Sequence, residues 1–137
     1  MTVTDPEMTR FWITREQGVR FVIKCIERMR GGEVFVPKIP SMRLADVVEV
    51  VAPGCEQTIV GMRPGEKMHE ALLGAEEAMN AREFEDMYVI CPDTEWFEFH
   101  PFDEEGEATA PGFQYTSDAN SEWLTGERFA EMLRGDS

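Results

Sequence analysis

The 137-residue chain carries 27 acidic against 13 basic side chains, a formal charge of −14, and is long enough for one domain that buries roughly two-thirds of its unfolded surface. The imbalance lies entirely in residues 71–137, with seventeen acids against three bases, while residues 1–70 balance ten against ten; the clustered Lys and Arg that neutralise phosphate backbones are missing, which argues against a nucleic-acid partner. No apolar run approaches the roughly 20 residues that span a bilayer, and the start Met1-Thr2-Val3-Thr4-Asp5-Pro6 has no basic region leading into an apolar one, so the chain reads as cytoplasmic with no membrane partner.

After an extended start, Thr14 followed by Gln17 makes a capping-box pattern, and Val19, Val22, Ile23, Ile26 and Met29 fall on one face of a helix running to about Arg30. Gly31-Gly32 ends it, and Glu33-Val34-Phe35-Val36 is a strand halted by Pro37. Ser41 is the predicted cap of a second helix carrying Leu44, Val47, Val48 and Val51; Pro53-Gly54 breaks the chain before the strand Gln57-Thr58-Ile59-Val60. A third helix is predicted around Glu66 to Ala78. Two strands, Phe84 to Ile90 and Glu95 to Phe99, are predicted to form a hairpin about Cys91-Pro92-Asp93-Thr94. Asp103 to Glu107 reads as a solvated acidic loop, Ala108 to Gly112 as a Pro/Gly loop and Phe113 to Asn120 as irregular, before Thr125 caps a last helix containing Phe129, Met132 and Leu133.

Cys25, Cys55 and Cys91 are odd in number and show no C-x-x-C spacing, which suggests buried reduced thiols rather than a disulfide framework or a zinc site. His69 and His100 lack a second histidine or cysteine at ligand spacing, so no metal is expected. Neither a G-x-G-x-x-G turn nor a P-loop is present, and neither Tyr88 nor Tyr115 has a lysine four residues on; no cofactor is expected in this chain. Met29, Met68, Phe84 and Phe113 are core candidates. The most informative stretch is Gly61-Met62-Arg63-Pro64-Gly65-Glu66-Lys67-Met68-His69-Glu70. Its Arg63 offers a planar fork that holds phosphate oxygens bidentately, and Glu66 can accept bonds from ribose hydroxyls. The same residues also fit a surface turn set by Gly and Pro with a solvated arginine.

With Met8-Thr9-Arg10-Phe11-Trp12-Ile13-Thr14, the segment Gly31 to Met42 and the Gly61 to Glu70 stretch in view, the chain resembles the C-terminal part of the inverting UDP-N-acetylglucosamine 4,6-dehydratases. These are polysaccharide biosynthesis proteins of the extended short-chain dehydrogenase/reductase family. Phe113-Gln114-Tyr115-Thr116-Ser117-Asp118-Ala119-Asn120 resembles that family's C-terminal segment, so the likeness covers nearly the whole chain. The resemblance implies a small α/β substrate-binding domain over residues 1–137, without the Rossmann domain that would bind NADP and carry the catalytic residues. It implies that Arg10 and Arg63 contact the pyrophosphate of a UDP-sugar, that Glu66 contacts the ribose, and that Thr4 lies near the uracil. It further implies a chain catalytically incomplete alone, weak UDP-sugar binding in isolation, a separate Rossmann-domain partner, and a helix at Thr14–Arg30 whose uncovered apolar stripe drives homo-oligomerisation. The alternative is a non-catalytic oligomerisation or regulatory module derived from the same domain.

Overall fold

The computed structural model describes residues 1–92 and 102–135. These form two compact units: one from Met1–Thr14, Ile39–Glu70 and the chain from Thr116 onward, the other from Arg15–Lys38 and Ala71–Tyr115.

In the first unit, β1 (Thr2–Val3) runs parallel to β5 (Thr58–Ile59), and β2 (Thr9–Phe11) pairs antiparallel with β4 (Ser41–Arg43), setting Arg10 opposite Met42. Helices α2 (Leu44–Val51) and α5 (Gly126–Arg134) pack together. Their core is Met42, Leu124 and Phe129, with Trp12, Val47, Val50 and Met132 against it. Trp12 meets Phe129 edge-to-face at 4.7 Å between ring centres, a favoured aromatic geometry. The Thr125 hydroxyl accepts from the Arg128 amide at 3.3 Å and Gly135 closes α5 at φ 80°, as the pattern predicts. Ser41 does not cap α2. It is a fully buried strand residue, α2 starts after Arg43 without a side-chain cap, and the Ser41 hydroxyl instead accepts from Asn120 Nδ2 at 2.9 Å.

The second unit holds α1 (Arg15–Arg28) and an antiparallel sheet ordered β3 (Val34–Pro37), β8 (Met87–Ile90), β7 (Ala81–Glu83), β9 (Glu107–Ala108). Pro37 sits on β3 at the sheet edge, where its missing N–H costs no ladder bond. Met87, Val89, Cys91 and Phe102 form the core, with Phe21, Phe35 and Phe84 packed on it. The α1 stripe points the other way: Val19, Val22, Ile23, Ile26 and Met29 are each more than half exposed, and the helix docks through Phe21 on its opposite face. Met29 is therefore not a core residue.

Of the predicted strand Phe84 to Ile90, Met87–Ile90 is β8, paired with β3 and, through the turn at Phe84–Asp86, with β7, and the predicted strand Glu95–Phe99 lies outside the described residues. The acidic stretch contains a short helix, α4 (Phe102–Glu105), whose Glu105 lies 3.9 Å from both Arg28 and Arg30. The predicted third helix is absent. Residues 61–70 are turns and irregular chain, followed by β6 (Ala71–Leu73) and a single helical turn, α3 (Ala75–Ala78). Within Phe113–Asn120, Tyr115–Thr116 is β10, paired with β6. Of the cysteines, Cys91 is buried, Cys25 is half-buried and Cys55 is exposed, so burial does not extend to all three.

Candidate functional site

The segment Gly61–Glu70 is held at both ends by the first unit's own strands. The Gly61 amide donates to the Thr4 carbonyl at 3.1 Å and Val60 to Val3 at 2.9 Å, so Thr4 anchors the start of the loop through its backbone. Pro64 and Gly65 then occupy the central positions of a turn closed by the Glu66 amide donating to the Arg63 carbonyl at 3.1 Å. Gly65 stands at φ 88°; proline followed by a residue with positive φ is the pattern of a type II turn, which explains why the chain uses Pro-Gly here. Glu66 Oε2 accepts the Arg63 amide at 2.9 Å. One carboxylate oxygen is thereby spent on the turn, and Oε1 has no partner among the described residues.

The two arginines differ in what their donors do. Arg10 Nη1 donates to the Thr9 carbonyl at 2.7 Å and to Met68 at 3.1 Å, Nη2 donates to Lys67 at 2.9 Å, and Nε stands 3.7 Å from a Glu70 carboxylate oxygen. Its guanidinium clamps the loop's far end onto β2. The Arg63 side chain is exposed and has no partner among the described residues, and neither has the Lys67 ammonium. Sequence spacing cannot make this distinction, because both arginines occur in short turn-flanking motifs.

Behind the clamp lies a hydroxyl cluster that the sequence reading missed. Thr9 Oγ1 is 2.8 Å from His69 Nδ1 and 2.6 Å from Ser117 Oγ; Ser117 Oγ also donates to the Thr9 carbonyl at 3.1 Å and accepts from the Glu70 amide at 2.8 Å. Glu70 Oε2 accepts the Phe11 amide at 2.9 Å. These bonds also explain the missing third helix: the Met68 carbonyl is taken by the Thr9 amide, and both backbone groups of Glu70 are taken by Ser117, leaving neither for an i to i−4 ladder. Next in the chain, the Thr116 hydroxyl, with help from the Asp118 and Ala119 amides and the nearby His69, holds the Asp118 carboxyl below the usual carboxylate range. Asn120 ties the same segment to the Ile39 carbonyl and the Ser41 hydroxyl. The Ser, Asp and Asn at 117–120 were the available signal, since buried polar side chains of this type bond to backbone.

In the second unit, Lys38 pairs with Glu83 at 2.8 Å and its ammonium sits 4.9 Å over the Tyr88 ring. Burial first, then the negative charge of Glu83, pushes the Tyr88 phenol up to about 12. A lysine beside a tyrosine suggests proton-transfer chemistry, but this one faces the ring and serves the carboxylate. The phenol keeps its proton.

Comparison with known proteins gives a consistent result. Residues 1–92 match the family described as polysaccharide biosynthesis protein. The chain is 39% identical, over 139 aligned positions, to an inverting UDP-N-acetylglucosamine 4,6-dehydratase of Campylobacter jejuni, covering 97% of this chain and 42% of that protein. It is 29% identical to a UDP-glucose 4-epimerase of Rickettsia canadensis, covering 97% of this chain and 40% of that protein. Among solved structures it aligns with Pen from Bacillus thuringiensis at a TM-score of 0.74 and 27% identity, over 100% of this chain and 40% of that one. The chain thus spans about two-fifths of the length of these relatives.

Proposed function

The chain belongs to the polysaccharide biosynthesis protein family, and from that membership we propose that it is the UDP-sugar-binding portion of an inverting UDP-N-acetylglucosamine 4,6-dehydratase. Its fold is the small mixed α/β C-terminal part of an extended short-chain dehydrogenase/reductase, and the matched region of the dehydratases is their C-terminal part. The observation that carries the reading is the exposed Arg63, without a partner among the described residues, on a hydrogen-bonded Pro-Gly turn beside a carboxylate oxygen of Glu66 that the turn does not use. A pyrophosphate needs such a fork, and a ribose diol needs such an acceptor. UDP occurs in the names of both the dehydratase and the epimerase relatives, which favours the nucleotide as the part gripped here. Thr4 would then flank the uracil, and Arg10 would reach the pyrophosphate only by releasing a loop carbonyl. Oxidation and elimination at the hexose need NADP, which in this reading belongs to a Rossmann domain supplied by the rest of a longer protein or by a partner chain. A cytoplasmic location goes with that chemistry.

A titration of the purified chain with UDP-N-acetylglucosamine, followed by amide NMR shifts, tests the proposal. Saturable shifts across residues 61–70 that disappear in Arg63→Ala are expected; no shift at millimolar ligand would refute the reading. The exposed α1 stripe favours a second property, association of the chain with its own copies, which is compatible with the first.

A further inference from the structure

We infer that His69 is a further ligand-contacting residue, held by Thr9 and Ser117 as the Nδ1–H tautomer so that Nε2 is presented as an acceptor for a hydroxyl of the bound nucleotide sugar. The inference rests on the UDP-sugar reading for the ligand; the tautomer is the one that turns the most of the observed contacts into hydrogen bonds. Three contacts join these groups: His69 Nδ1 to Thr9 Oγ1 at 2.8 Å, Thr9 Oγ1 to Ser117 Oγ at 2.6 Å, and Ser117 Oγ to the Thr9 carbonyl at 3.1 Å. Each hydroxyl has one proton to give. If Nδ1 carries a hydrogen, it donates to Thr9, Thr9 donates to Ser117, and Ser117 donates to the carbonyl. All three contacts are then hydrogen bonds, and the two acceptor sites of Ser117 Oγ are filled by Thr9 and by the Glu70 amide at 2.8 Å.

If Nδ1 is bare, Thr9 must donate to it. Ser117 then either turns its proton to Thr9 and loses the carbonyl, or keeps the carbonyl and leaves two oxygens 2.6 Å apart with no hydrogen between them. The first arrangement gives up the 3.1 Å contact and leaves the Thr9 carbonyl to Arg10 Nη1 at 2.7 Å, and the second leaves two oxygens without a proton where Ser117 is 0% and Thr9 is 3% exposed, so a bare Nδ1 makes one hydrogen bond fewer than a protonated one. The other ring nitrogen, Nε2, has no partner among the described residues, and His69 is half-exposed. His69 directly follows Lys67 and Met68, whose carbonyls Arg10 holds, so its ring is fixed to the same loop that carries Arg63 and Glu66. A neutral imidazole with a fixed tautomer recognises a hydroxyl rather than a second acceptor.

The test is long-range proton–nitrogen NMR of the imidazole at about pH 8, above the ordinary titration range of histidine near ~6.5, in a His100→Gln background where His69 is the only histidine. A protonated Nδ1 and a bare Nε2 are expected in the free chain, with the Nε2 resonance moving on saturation. Movement with UDP alone would place the contact on a ribose hydroxyl, and movement only with UDP-N-acetylglucosamine would place it on the hexose. His69→Asn, whose amide can keep the Thr9 bond but offers nothing at Nε2, should retain the fold and weaken binding about tenfold. Protonation at Nε2 in the free chain overturns the inference. An unmoved Nε2 while the amides of residues 63–66 shift overturns the contact and leaves the UDP-sugar reading standing. Absence of any shift with either nucleotide refutes that reading and the contact together.

Discussion

Replacing Arg10 by alanine should destabilise the chain even in the absence of ligand. Two of its bonds, to the Thr9 and Met68 carbonyls at 2.7 and 3.1 Å, are partly buried, and the side chain is 28% exposed. A charged donor in such a setting contributes about 1.5–3 kcal/mol per bond. Neither carbonyl is orphaned by the substitution, because Thr9 O still accepts from Ser117 and Met68 O still accepts from the Thr9 amide at 3.1 Å; that lowers the penalty to about 1 kcal/mol each. The exposed bond to Lys67 and the 3.7 Å contact with Glu70 add no more than about 0.5 kcal/mol together. The total is about 2–2.5 kcal/mol, readable as a lower urea midpoint with unchanged m-value, and the amides of residues 66–69 should lose exchange protection. Arg10→Lys should lose nearly as much, since one ammonium cannot span three carbonyls. A change below about 0.5 kcal/mol with unaltered exchange would show that the clamp is not made in solution and that Arg10 is free for an anion.

The exposed α1 stripe predicts weak, concentration-dependent self-association: five side chains each more than half exposed contribute about 1 kcal/mol apiece when covered, which only just offsets the 4–15 kcal/mol cost of association for two copies. Ile23→Glu should abolish the association in sedimentation velocity, and an ideal monomer at high concentration in the parent chain would refute it. Tyr88 should ionise well above the ordinary tyrosine range in a spectrophotometric titration. Its raised pKa means the folded chain keeps a proton that the unfolded chain loses above about 10, so this contribution to stability is complete below pH 10 and is lost as pH rises through about 12; a phenolate formed near pH 10 in the folded chain contradicts it.

What was legible in the sequence was local. Thr125 with Gly135 delimits α5, Gly31-Gly32 ends α1, and Pro53-Gly54 breaks the chain before β5, all cases where one residue's own stereochemistry decides. The family was legible because whole motifs survive in order. Failures arose where tertiary bonds outcompeted local preference. Ser41 has the chemistry of a cap, but a strand partner and Asn120 claim it. The stretch from Glu66 onward has the composition of a helix, yet β2 and Ser117 take its backbone groups. The α1 periodicity gave the helix, and the stripe is exposed as the resemblance implied; the periodicity alone could not have said so, because a 3.6-residue stripe marks an apolar face without saying what covers it.

The same limit explains why sequence treats Arg10 and Arg63 alike while the structure separates them. An arginine binds a ligand anion with donors it has not already spent, and forming a new charged bond is favourable only by the difference from the bond it replaces. Arg63 replaces water; Arg10 must replace backbone carbonyls at 2.7–3.1 Å. The consequence is a division of labour around one loop: Arg10, Ser117 and Thr9 spend their hydrogen bonds on fixing the backbone, and Arg63, Glu66 and His69 each keep an atom without a partner among the described residues. Preorganisation of this kind lowers the entropy that a ligand must remove on binding. Under the proposed function it would also place the Phe113–Asn120 motif among the determinants of ligand affinity, through Ser117, although Ser117 is wholly buried and its hydroxyl is committed to Thr9 and Glu70.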